Sequence, residues 1–76
     1  MTRFEYISQN IDTIKIMIKI GIISPTILRN WEIYSRFDYY RRIGENVCMS
    51  VFFTGNDLKA EERRIYRIKK LMESEL

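Results

Sequence analysis

Seventy-six residues, 46% of them hydrophobic and with a single proline, provide for one domain (residues 1–76) and one modest core, and they exclude wholesale disorder. One cysteine and no histidine exclude an internal disulfide, a Cys/His zinc site and any histidine-based proton transfer. The net charge of +3 mildly favours an anionic partner, and the apolar run over residues 14–23, interrupted by Lys15 and Lys19, is far too short to span a bilayer.

Thr2-Arg3-Phe4-Glu5 has the form of a capping box, with a threonine hydroxyl for one backbone N–H and a glutamate three residues on that reaches back. A helix over residues 3–20 then places Phe4, Ile7, Ile11, Ile14 and Ile18 at alternating spacings of three and four, a narrow seam of the heptad kind. Strict alternation from Ile14 to Ile22 is the competing strand signal, but a lone strand finds no partner elsewhere in the chain. A break near Asn10 or Asp12 would divide the segment into two shorter helices. Gly21 is placed to end it in the left-handed conformation, with Ile22 folding back toward Met17.

Ser24-Pro25 starts the next helix, serine as cap and proline at the first helical position. From Pro25 to about Ile43 the large side chains spread around most of the circumference. Ile33, Phe37 and Tyr40 make one face, and Ile27, Trp31 and Tyr34 another. A helix apolar on two faces belongs at the centre of a bundle, so these aromatics are read as core rather than as a base-stacking platform. Gly44 ends this helix. A short helix from Glu45 or Asn46 to about Thr54 follows, with Val47, Cys48, Val51 and Phe52 expected toward the core.

The last segment is dense in cations. Ile65, Ile68 and Met72 fall on one side of a helical wheel, and Arg63, Arg67 and Lys70 on the other. One face can be buried while three cations project from the opposite one. The run Arg63-Arg64-Ile65-Tyr66-Arg67-Ile68 resembles the "R-T-V-Y-R-I" run that opens recognition helices in many bacterial and phage helix-turn-helix regulators. Aligned on it, Ala60 takes the small apolar turn position, Leu58 the last apolar residue of the turn, and Gly55 the small-residue position of the supporting helix. Lys59 stands where the family prefers Gly or Asn, Glu61 where it prefers Ser or Thr, and Arg64 where it prefers Thr. A second register is open, with Gly55-Asn56 as the turn and Asp57 capping one long helix to about Ser74. Gly21 to Leu28 also resembles a helix-turn-helix corner, so a second, N-terminal reader helix is a further alternative.

The expected fold is therefore all-α, a compact bundle of about four helices: an isoleucine-rich helix 3–20, an aromatic helix 25–43 and a helix-turn-helix over 46–74. The resemblance implies a small regulator of phage or mobile-element type, acting in the cytoplasm and reading double-stranded DNA. In that register Glu62, Arg63, Tyr66 and Arg67 face base edges, while Lys59, Arg64 and Lys70 meet phosphates. No catalytic residue, metal, cofactor, small-molecule substrate or membrane span is expected. The alternative is a helical interaction module. Either reading accommodates a homodimer through Phe4, Ile7, Ile11, Ile14 and Ile18.

Overall fold

The capping box forms as the sequence requires. In a computed structural model that describes residues 1–76, the Glu5 N–H donates to Thr2 Oγ1 at 3.2 Å and the Thr2 N–H to Glu5 Oε1 at 2.8 Å. Those hydrogen bonds from Thr2 hold the Glu5 carboxyl below its ordinary range. They open α1 (Arg3–Gln9), the first of five helices. The single helix expected over 3–20 is broken at Asn10, which closes α1 and opens α2 (Ile11–Lys19). Asn10 leaves the helical region at φ −117°, ψ 19°, and its amide Nδ2 donates to the Tyr6 carbonyl at 2.8 Å. A side chain that hydrogen-bonds its own backbone competes with the helix ladder, and here it installs the kink.

Gly21, at φ +84°, ends α2: the Ile22 N–H reaches Met17 O at 2.9 Å and the Gly21 N–H reaches Ile18 O at 3.1 Å. This paired pattern satisfies two carbonyls that the helix end would otherwise leave bare. Helix α3 (Thr26–Arg42) starts one residue later than expected, with Pro25 rather than Ser24 at its cap position, and Ser24 Oγ accepts from the Thr26 N–H at 3.3 Å just ahead of it. Gly44 closes α3 with the same two-bond pattern on Tyr40 and Arg41. Asn46 then caps α4 (Val47–Leu58), its side chain accepting from the Met49 N–H at 2.8 Å, and α5 (Glu62–Met72) completes the chain.

Helix α3 is the central element. Ile33, Tyr34 and Phe37 are buried, Ile27 and Trp31 pack against the same cluster, and α1, α4 and α5 all lie against it. Trp31 Nε1 donates to Ser8 Oγ at 2.9 Å, fastening α1, and Tyr34 Oη donates to Glu73 at 2.9 Å, fastening the end of α5. Burial, then the Glu73 carboxylate, pushes the Tyr34 hydroxyl far above its ordinary range, so it stays a donor. The end of α5 also meets the start of α1, where the Arg3 N–H donates to Ser74 O at 3.0 Å. Helix α2 is the most peripheral, resting mainly on α1.

Two expectations about packing are corrected. Cys48 is exposed and Phe52 is 47% exposed, so neither is core. The inward face of α4 carries Ser50, Val51 and Thr54, with Val47 and Leu58 packed at its ends. The registers differ by one residue because α4 has apolar side chains on both sides, and apolarity alone does not orient such a helix. The isoleucine seam is real, but it is occupied within the chain. Ile7 and Ile14 are buried in the core, and Phe4, Ile11 and Ile18 pack against it. Most of the seam thus faces the core, with Phe4, Ile11 and Ile18 only partly buried at its margin. No helix is long and apolar enough to cross a membrane.

Candidate nucleic-acid interface

Two helices and a three-residue turn form the site. Helix α4 continues through Gly55 and Asn56 to Leu58, which removes the register with a turn at Gly55-Asn56 and a cap at Asp57. The chain turns instead over Lys59, Ala60 and Glu61. Lys59 holds the left-handed conformation, φ 53° and ψ 47°, and both its N–H and that of Ala60 are directed to the Gly55 carbonyl. Leu58 and Ala60 pack against the core from the two sides of the turn.

Gly55 is small because the turn crosses it. A Cβ built there would lie 2.9 Å from the Ala60 carbonyl oxygen and 3.5 Å from Ile65 Cδ1. The first contact is with backbone and cannot swing away, so the approach of α5 to α4 depends on a hydrogen at this position.

Left-handed backbone at a non-glycine residue costs roughly 1–2 kcal/mol. Lys59→Gly is accordingly expected to raise stability. Part of the gain returns as the greater freedom of glycine in the unfolded chain, about 0.4–1 kcal/mol, leaving a net gain of up to about 1.6 kcal/mol. Urea unfolding reads this directly, and a lower midpoint for the glycine variant would contradict it.

Three side chains of α3 hold the turn from behind. The Arg29 guanidinium donates to Leu58 O at 2.6 Å, satisfying a carbonyl at the end of α4. Tyr40 Oη bonds Asp57, and Arg36 lies 3.9 Å from the same carboxylate. The bond to Asp57 raises the Tyr40 hydroxyl above its ordinary range. None of these partners was apparent in the sequence, since they join positions 17 to 29 residues apart.

Helix α5 presents the residues expected on it. Ile65, Ile68 and Met72 are buried, while Glu62, Arg63, Arg64, Tyr66, Arg67 and Lys70 are exposed, as is Lys59 in the turn. Arg63, Arg67 and Lys70 form the crest opposite the core, with Tyr66, 45% exposed, on one shoulder and Arg64 on the other. Between Arg64 and Arg67 and the start of α3 runs an open groove of about 370 Å³, also lined by Thr26 and Asn30.

The cations divide by helix. Every arginine of α3 has a partner within the chain: Arg29 on Leu58 O and Glu32, Arg36 on Asp57, Arg41 on Glu45 O, Arg42 on Asp38. No α5 arginine makes an ion pair or a side-chain hydrogen bond, and neither does Lys70. Only Lys69, at the flank, is paired, with Glu73 at 2.9 Å. No group of three or more Cys, Asp or Glu side chains is gathered so as to hold a metal ion. Comparison of the chain with protein-family models, curated proteins and solved structures finds no match.

Proposed function

We propose that this chain binds duplex DNA through α5, with α4 and the Lys59–Glu61 turn as its support. The observation that supports the reading is the segregation of its cations. The arginines of α3 are engaged by partners within the chain, whereas Arg63, Arg64, Arg67 and Lys70 point away from the core with their charge unspent. A helix that buries one side and projects cations from the other suits the major groove, where arginine forks onto guanine and lysine meets phosphate. In this reading Arg63, Arg67, Tyr66 and Glu62 face base edges, and Lys59, Arg64 and Lys70 sit on the backbone. The process served is transcriptional regulation of phage or mobile-element type.

The test is a titration of duplex DNA at several salt concentrations. Each phosphate contact releases counterions and adds about 0.9 to the slope of log affinity against log salt. Lys70→Ala is expected to lower that slope by about one and to weaken all sequences alike. Arg67→Ala is expected to cost about 1–3 kcal/mol on a preferred site and to relax its specificity. Both side chains are exposed, so stability should move by no more than about 0.5 kcal/mol in either variant. A wild-type chain without affinity for duplex DNA even at about 50 mM salt ends this reading.

A further inference from the structure

Helix α2 is apolar on two opposite sides, and the bundle uses only one of them. Ile11, Ile14 and Ile18 turn to the core. Ile16 and Ile20, one turn apart on the far side, are 60% and 63% exposed, and Ile22 just beyond the helix is 65% exposed. Apart from Leu76, no large hydrophobic side chain in the chain is more exposed than these three. A clustered apolar surface of this kind marks an interaction site, whereas scattered single residues do not.

The charges beside the isoleucines identify the partner. Asp12 and Lys19 stand seven residues apart, two helical turns, on the same edge of the exposed face, with Ile16 between them. Neither makes an ion pair within the chain. A two-fold axis beside Ile16 keeps an edge residue on its edge and reverses the helix direction. It therefore brings Asp12 of each copy level with Lys19 of the other. An isologous contact needs this self-complementarity. Parallel pairing would instead carry each charged residue to the opposite edge of the contact, leaving Asp12 and Lys19 without partners across it. Lys15, exposed on the same side but turned farther from Ile16 and Ile20, stands outside this pairing, and an anionic lipid surface would attract both lysines while leaving Asp12 repelled.

We propose that a second copy of this chain docks antiparallel on α2 across Ile16 and Ile20, with Asp12 of each copy paired to Lys19 of the other. No residue of α5 takes part, so the interface stands or falls apart from the DNA reading.

Charge reversal in low salt tests both the partner and its direction. Asp12→Lys and Lys19→Asp each turn two attractive contacts into two repulsive ones. Each is expected to weaken self-association at least about tenfold in sedimentation equilibrium. An equimolar mixture of the two variants pairs every lysine with an aspartate, so it is expected to assemble as a heterodimer far better than either alone. Ile16→Ser is expected to sediment as a monomer. Thermal melts of the two charge variants at low concentration, where no dimer forms, should lie only slightly below that of the wild type, since each reverses one charge that suits the dipole at an end of α2. A wild type that remains monomeric at about 0.5 mM overturns the proposal, that limit corresponding to an association too weak to count as an interface. So does a wild-type dimer indifferent to the charge reversals, or a mixture that assembles no better than its components.

Discussion

Ile65→Ala is expected to remove about 2–5 kcal/mol of stability, a large share of the total of a domain held by on the order of 5–15 kcal/mol. Ile65 is 1% exposed and lies in the first turn of α5, where its Cδ1 approaches Gly55 of α4. Truncation deletes the buried atoms and leaves a cavity between two helices joined by three residues, and so short a turn limits how far they can close on it. Ile65→Val removes one methylene and should cost only about 0.5–1.5 kcal/mol. Urea unfolding followed by the fluorescence of Trp31, the only tryptophan, compares the three chains. If alanine cost no more than valine, the packing of α5 on α4 would not be what secures it.

Gly55→Val comes next in size, at about 1–3 kcal/mol destabilising, through overpacking. Its Cβ meets the Ala60 carbonyl oxygen at 2.9 Å, inside van der Waals contact, and its methyl groups crowd Ile65. Gly55→Ala meets the same oxygen but regains about 1 kcal/mol of helix propensity, so it should lose less. The distinguishing signature is the order valine worse than alanine worse than glycine at one helical position. Ordinary helix propensity ranks alanine first, and alanine as the most stable of the three would show that the turn does not cross α4 closely.

Much of the fold was legible because local chemistry and side-chain period agreed. The Thr2–Glu5 box, Gly21 and Gly44 at helix ends, and the buried Ile65, Ile68 and Met72 all follow from patterns within a few residues. The choice of helix over strand also held for residues 14–19, although the isoleucines alternate as a strand's would. Three features were left open or missed, each for a physical reason. A break near Asn10 or Asp12 stood as an alternative, and the choice depends on a side chain taking the Tyr6 carbonyl over solvent. The face of α4 depends on which of two apolar sides meets α3, and this placed Ser50 and Thr54 inside and Cys48 and Phe52 outside. The fate of the isoleucine seam depends on the rest of the chain, since the same spacing serves an internal core or a partner. At the candidate site, the exposure of the α5 cations followed from the wheel. The grip of Arg29 on Leu58 and of Tyr40 on Asp57 did not, because no local rule pairs positions so far apart.

The kink at Asn10 also divides the molecule by how firmly its parts are held. Helices α3, α4 and α5 touch one another and are cross-linked by Arg29, Tyr34 and Tyr40, and α1 is fastened by Trp31 and Ser74. Helix α2 has only its isoleucine face and its junction with α1. Its opening exposes Ile14 and little else that is fully buried, so it costs a fraction of global unfolding and leaves the other four helices in place. The chain thus behaves as a stable body with one detachable rib, and excursions of the rib do not disturb the turn between α4 and α5.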